Sequence, residues 1–243
     1  MWHLTSRSLA AFTPHPALRA TFSPEGRRDF GTSDNPHPPD YLSPMETLLA
    51  IDTAAPRLQL GLRRADGRID VSIDDIAQGH AELIFPRLAA LLERNGLGYP
   101  DLTRIAVTTG PGSFTGLRIG LSAARGLGLA REIPVLGIPS LLALSLSATC
   151  NPLAVLLDAR RGEAWFQTFS GPAIPVSPAR LLPIDEARAL VPPGAELLTS
   201  PFVDIARFAE FAATLDPALY PPEPNYIRDA DAKPQEKFRV ARQ

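Results

Sequence analysis

The stretch Arg104-Ile105-Ala106-Val107-Thr108-Thr109-Gly110-Pro111-Gly112-Ser113-Phe114-Thr115-Gly116-Leu117-Arg118-Ile119-Gly120 decides the fold. Residues 104–108 read as a strand with Ile105 and Val107 on one face. The glycine segment 110–116 follows and opens a helix that runs to Arg131. Glycines let the backbone turn sharply and approach a neighbour closely, and Pro111 stiffens the turn through its fixed φ. Backbone N–H groups at such a helix start can hold an anion. Gly110, Gly112 and Ser113 are therefore candidate nucleotide-binding residues, and a tight structural turn between strand and helix is the alternative. The spacing fits neither phosphate motif. A P-loop requires a lysine after its second glycine, whereas Leu117-Arg118 follow Gly116. The dinucleotide fingerprint requires Gly-x-Gly-x-x-Gly, one residue shorter than the spacing here. Ser113 does not sit in a nucleophile elbow either, because Pro111 and Thr115 occupy the flanking glycine positions.

The helix that follows holds Gly116, Gly120, Gly126 and Gly128 beside Ala123, Ala124 and Ala130. Each interior glycine costs a helix about 1 kcal/mol relative to alanine. Close approach of another element must compensate, partly within the chain and partly through a partner protein.

Upstream, residues 48–51 form a short apolar strand ending at Asp52-Thr53, residues 58–62 alternate as a second strand, and Asp66-Gly67 signals a hairpin. Ile69, Val71 and Ile73 alternate as a third strand, giving an antiparallel meander. Ile84, Leu88, Leu91 and Leu92 have helical spacing, with Pro86 near the first turn and Asn95-Gly96 as the stop. Downstream, residues 134–138 read as a strand, and Ser140 is placed to cap a helix over 141–146. After Asn151-Pro152 the pattern restarts. Residues 153–157 form an apolar strand ending at Asp158, and 165–169 a return strand. The repeat predicts a two-lobed α/β protein with related halves, the second smaller. Helices are expected over 185–190 and 203–213, with an extended tail from Pro217.

The chain has 243 residues and a formal charge of −2, with 45% hydrophobic and 21% charged residues. That is an ordinary globular composition, without the basic balance of a protein that grips nucleic acid alone. The lone cysteine, Cys150, excludes an internal disulfide and fits a reducing, cytoplasmic compartment. No apolar run is long enough to span a bilayer. His3, His15 and His37 precede residue 44, leaving His80 as the sole histidine of the body. Nitrogen- or sulfur-rich metal sites are nearly excluded, and a Ser-His-Asp arrangement could use only His80. Its plain reading is a partly exposed residue at a helix start. Residues 1–44, with seven prolines and no periodicity, read as a disordered extension or an over-called start preceding Met45. Residues 45–150 form the first lobe, and 151–243 the second lobe and tail. Arg160-Arg161 reads as a solvated hairpin tip, with contact to nucleic-acid phosphate as the alternative.

Six segments together resemble the TsaB (YeaZ) family. They are Leu48-Leu49-Ala50-Ile51-Asp52-Thr53, His80-Ala81-Glu82-Leu83 with Pro86, residues 107–120, residues 134–141, Asp158-Ala159-Arg160-Arg161-Gly162-Glu163, and Asn225-Tyr226-Ile227-Arg228. The resemblance spans residues 46–232. It implies the actin-like ATPase (ASKHA) fold, with two ribonuclease H-like lobes, and a non-catalytic subunit of the tRNA N6-threonylcarbamoyladenosine transferase complex. The implied partners are a TsaD-like catalytic subunit and a TsaE-like ATPase, with tRNA reached only through the complex and a homodimer possible in isolation. ATP and a metal ion belong to those partners, and no cofactor to this chain. In the catalytic paralogue two metal-binding histidines lie four residues apart, where this chain has Ser140 and Leu144. The resemblance also implies a partner surface on the two helices of the first lobe. Leu88, Leu117, Gly120, Leu121, Ala123, Ala124 and Leu127 are the residues expected there, with Arg118 and Arg125 facing acids of the partner. Ala124→Arg is expected to break the complex and leave the monomer folded. The competing readings are an independent ATP-binding phosphotransferase of the same fold, in which Asp52 and Thr53 join the glycine segment as nucleotide-binding residues, and a metallopeptidase, which lacks metal ligands.

Overall fold

The computed structural model describes residues 46–225. The expectations for 1–44 and for Tyr226-Ile227-Arg228 lie outside the described residues. The first half builds a five-stranded sheet in the order β3-β2-β1-β4-β5, from β1 (Leu48–Asp52), β2 (Leu58–Arg63), β3 (Ile69–Asp74), β4 (Arg104–Thr108) and β5 (Val135–Ile138). The first three strands form the antiparallel meander, while β1, β4 and β5 are parallel. The parallel pairs require crossovers. These are α1 (His80–Arg94), which leads to β4, and α2 (Phe114–Arg131), between β4 and β5.

The second half repeats this plan. Strand β6 (Leu153–Arg160) is the central strand, β7 (Glu163–Gly171) is antiparallel to it, and β10 (Glu196–Leu198) is parallel. The two short strands β8 (Ile174–Pro175) and β9 (Arg180–Pro183) pair with opposite ends of β7 and together take the place of β3. Four of the five strand positions recur in the same order and sense, and among the described residues no counterpart of β5 follows β10.

Helices α3 (Ser140–Ser145) and α5 (Ile205–Ala212) cross between the halves. Helix α3 follows β5 but packs on β6 and β7, whereas α5 follows β10 and packs on β1, β2 and β3. They fill the space between the sheets, where Leu48, Ala50, Ala106, Leu136 and Ile138 meet Leu153, Val155, Leu157 and Phe169 in one core with Phe208 and Ala209. The alternate residues Leu49, Ile51, Ile105 and Val107 face outward against α1 and α2. On the far side of the second sheet Leu156 and Phe166 pack on α4 (Ile184–Ala189). Both faces of β1 and β4 are covered, so all their residues are buried, as expected for strands clothed by helices on both sides.

Several local expectations change. The alternation of residues 58–62 does not leave a wet face, because α5 covers it: a Cβ on Gly61 would sit 2.9 Å from the Ile205 carbonyl. Strand β6 runs two residues past Asp158, which is exposed and accepts the Arg160 N–H at 2.7 Å. It is therefore not the counterpart of the buried Asp52. Arg160, Arg161 and Gly162 all have positive φ and form the hairpin tip. His80 is the first residue of α1, but it is buried rather than partly exposed, and its Nε2 has no hydrogen-bond partner among the described residues. The tail from Pro217 begins with a 3-10 turn, Pro217–Leu219.

Candidate functional site

The C-terminal ends of β1 and β4 bring the five candidate nucleotide residues to one corner, where the chain itself uses their polar groups. Asp52, Gln59 and Thr108 share the inner face of the sheet. The Asp52 carboxylate is fully buried. One oxygen accepts from the Thr108 hydroxyl at 2.7 Å and the Ala54 N–H at 3.1 Å, the other from the Gln59 amide at 3.1 Å. Burial pushes the Asp52 carboxyl above the usual carboxylate range, and the bonds from Thr108, Ala54 and Gln59 and the charge of His80 oppose that rise. Thr53 points to the outer face and donates its hydroxyl to the Gly116 carbonyl at 2.7 Å, in the first turn of α2.

The glycine segment lies directly on the β1–β2 turn. The Ser113 N–H donates to the Ala54 carbonyl at 2.7 Å. A Cβ on Gly112 would come within 2.6 Å of that same oxygen, and one on Gly116 would overlap the Thr53 carbonyl oxygen. The Ser113 hydroxyl caps α2 by accepting the Gly116 N–H at 3.2 Å. Gly110, at φ 108°, donates its N–H to the Ser140 hydroxyl at 3.1 Å. Ser140 was expected to cap α3; instead Pro139 stands at the cap and Ser140 anchors the glycine loop. The C-terminal segment closes the corner. The Asn225 N–H donates to the Thr109 carbonyl and the Gly137 N–H to the Tyr220 carbonyl, at 2.8 and 2.9 Å. The bonds of Gln59, Thr108 and Asn225 in this cluster are not legible along the chain, because their partners are 7, 56 and 116 positions away. Within the chain the Asp52 carboxylate, the Thr53 hydroxyl and the Ser113 hydroxyl are all bonded to protein groups.

The residues expected at a partner surface also require correction. Leu88, Leu117, Gly120, Leu121, Ala123 and Ala124 are buried in this chain. Ala124 is 0% exposed inside the outer core, so Ala124→Arg would disrupt the monomer before any complex. Leu127 is partly buried against the same core. Gly120 lets α2 settle on Thr53, and Gly128 lets it settle on Val135. The small residues thus serve packing of α2 on its own sheet.

The exposed surfaces of α1 and α2 are different residues. Between them runs an open groove of about 500 Å³ lined chiefly by Ile84, Phe85, Phe114, Ile119 and Ala123, with Arg118 at its edge. Phe85 is 45% and Phe114 55% exposed, and Leu129 further along α2 is 83% exposed. The Arg118 guanidinium lies 3.8 Å from the centre of the Phe114 ring. Ser140 and Leu144 are both buried one turn apart on α3, the serine bonded to Gly110 and the leucine in the core. Among the described residues no group of three or more His, Cys, Asp or Glu is placed to hold a metal ion, and no helix is long and apolar enough to cross a membrane.

Comparison with known proteins places this geometry in context. Residues 74–170 match the family model of TsaD, tRNA N6-adenosine threonylcarbamoyltransferase. An uncharacterized protein of Mycobacterium tuberculosis is 35% identical over 204 residues, covering 78% of this chain and 95% of that protein. The Escherichia coli tRNA threonylcarbamoyladenosine biosynthesis protein TsaB is 32% identical over 126 residues, 50% of this chain and 54% of its own length. The chain thus matches about half the length of that TsaB relative. The solved structure of YeaZ from Pseudomonas aeruginosa superposes with a TM-score of 0.63 at 23% identity, over 75% of this chain and 100% of YeaZ. The fold is that of YeaZ, a two-sheet α/β architecture.

Proposed function

The chain belongs to the TsaB/YeaZ family, and on that premise we propose that it serves tRNA threonylcarbamoyladenosine biosynthesis as a non-catalytic docking subunit. The observation that carries the docking role is the apolar groove between α1 and α2. It joins half-exposed Phe85 and Phe114, and aromatic rings in a concave apolar surface are the usual anchors of protein interfaces.

The partner is a TsaD-like catalytic subunit. The TsaD model matches the span of this chain that holds α1 and α2. A paralogue with the same two helices offers a related surface, and two related surfaces pair readily about a pseudo-twofold axis. A TsaE-like ATPase and tRNA join through the assembly, consistent with a net charge of −2. ATP and metal belong to those partners. The reading of an independent phosphotransferase finds no support at the β1–β4 corner, whose polar groups are already bonded within the chain.

The test is complex formation. The full chain is mixed with the TsaD-type protein of the same organism and analysed by size exclusion with light scattering. Phe85→Glu and Phe114→Glu are expected to abolish the complex while leaving the melting temperature of the isolated chain within about 2 °C, as for surface substitutions. A stable complex with both variants would overturn the assignment.

A further inference from the structure

After α5 the chain runs along the edge of the first sheet and is tied to it at three levels. At the start of β4 the buried Arg104 guanidinium donates to the Leu215 carbonyl at 3.1 Å. In β5 the Gly137 N–H donates to the Tyr220 carbonyl at 2.9 Å, and beyond the end of β4 the Thr109 carbonyl accepts the Asn225 N–H at 2.8 Å. Tyr220 also packs on the core between the sheets. Residues 220–225 thus form a strap from the edge of β5 to the glycine segment.

The backbone donors of the strap are committed within this chain. Pro221, Pro222 and Pro224 have no N–H, Tyr220 donates to the Pro217 carbonyl, and Glu223 donates to the Pro221 carbonyl. Two glycines make room for the strap. A Cβ on Gly137 would stand 2.5 Å from the Pro221 carbonyl oxygen, 2.6 Å from the Pro222 Cα and 2.6 Å from the Thr109 methyl. A Cβ on Gly110 would stand 2.9 Å from the Asn225 carbonyl oxygen and 3.0 Å from a Leu117 methyl, so Gly110 lies between the strap and the first turn of α2. Pro221, Glu223 and Pro224 are exposed. A surface segment with few buried contacts opens at lower free energy than core strands.

We propose that residues 220–225 are a releasable latch on the glycine segment: seated, they fix residues 109–113 and with them the start of α2, and lifted, they free both. Gly110 and Gly112 are conformationally permissive, so the segment depends on anchors outside itself. Ala54 holds it through the Ser113 N–H, Ser140 through the Gly110 N–H, and the strap through Asn225. Ala54 directly follows β1 and Ser140 is buried, whereas the strap can lift without parting a strand of either sheet. Phe114, the first residue of α2, is an anchor of the apolar groove. The regulatory part of the inference rests on the docking role proposed above: the groove binds its partner most tightly with the strap seated.

Hydrogen exchange of the isolated full chain, read by mass spectrometry, is combined with calorimetric titration against the TsaD-type protein of the same organism. Asn225→Pro removes the N–H that reaches Thr109, and Gly137→Ala pushes the strap from β5 at its other end. Both are expected to exchange about tenfold faster over residues 109–117, the effect of one lost backbone hydrogen bond, with residues 153–171 unchanged. Both should bind the TsaD-type protein about tenfold more weakly. Glu223→Ala, which keeps every backbone bond of the strap, should do neither. Asn225→Pro decides the outcome if Gly137→Ala proves unstable. Unchanged exchange over residues 109–117 in Asn225→Pro overturns the latch, whether or not the partner binds. Faster exchange with undiminished affinity overturns its control of the groove. Faster exchange in Asn225→Pro, with a wild type that does not bind the TsaD-type protein, sinks the docking role and leaves the latch on the glycine segment standing.

Discussion

Gly116→Ala and Gly126→Ala make the same chemical change on one helix and should shift stability in opposite directions. At Gly116 the new methyl overlaps the Thr53 carbonyl oxygen, which is backbone and cannot rotate away. Helix α2 must lift from the β1–β2 turn. That movement breaks the Thr53 hydroxyl bond to the Gly116 carbonyl, and both partners are buried. Overpacking of this kind costs about 1–3 kcal/mol, and an unsatisfied buried polar group about 1–3 kcal/mol more. Better helix propensity returns at most about 1 kcal/mol. The net loss is about 2–4 kcal/mol, a large share of the roughly 5–15 kcal/mol of a typical domain. At Gly126 nothing opposes the methyl, so the same substitution should stabilise by about 0.5–1 kcal/mol. Urea unfolding of the full-length variants, followed by far-UV circular dichroism, measures both. For a folded region of this size the melting temperature moves about 2–4 °C per kcal/mol. Gly116→Ala should fall by about 5–15 °C and Gly126→Ala rise by about 1–4 °C on that scale. Equal stability of the Gly116 variant and the wild type would refute the close-approach reading of the glycine segment.

Three further outcomes follow from the same corner. Asp52 binds its proton more tightly folded than unfolded, because burial raises its carboxyl. Its contribution is therefore most favourable below the unfolded carboxylate value of about 4 and declines as pH rises from there toward the raised folded value. Asp52→Asn should remove that decline, so its urea midpoint relative to the wild type should improve from about pH 4 to pH 7; parallel pH profiles would contradict the burial argument. Ser140→Ala leaves the Gly110 N–H without its acceptor and should cost about 1–2 kcal/mol in chemical unfolding, a loss that an unchanged midpoint would exclude. Isothermal titration of the isolated chain with ATP and magnesium should give no heat of binding, since the Asp52 oxygens and the Thr53 hydroxyl already have partners; micromolar binding with turnover would restore the phosphotransferase reading.

Much of the architecture was legible in the sequence because it is local. The meander needs only alternating residues and an Asp66-Gly67 turn. The helices 80–94 and 114–131 follow from apolar spacing, a stop at Asn95-Gly96 and the glycine segment itself. The repeat of strand, acid and return strand announced two related sheets. What failed was everything that depended on which side of a helix is already occupied. Ala124 looks like part of a docking face in one dimension, and only the sheet beneath α2 reveals that it is spent there. Phe85 and Phe114 escaped notice because exposed phenylalanines are ordinarily read as core. Asp52 and Asp158 look equivalent in sequence, yet one is buried on the inner face of the first sheet and the other is exposed.

The sequence by itself determined the strand and helix order as far as β7, the family likeness carried by residues 107–120, and the mismatch of the glycine spacing with phosphate-binding motifs. Each is a property of neighbours along the chain. Only the tertiary structure decided what the glycines do. Gly112 and Gly116 bring the start of α2 onto residues 53 and 54, some 60 positions earlier, and of the four glycines of α2 only Gly126 meets no neighbour among the described residues. Close approach is a relation between distant segments, and no local pattern encodes the distance between them.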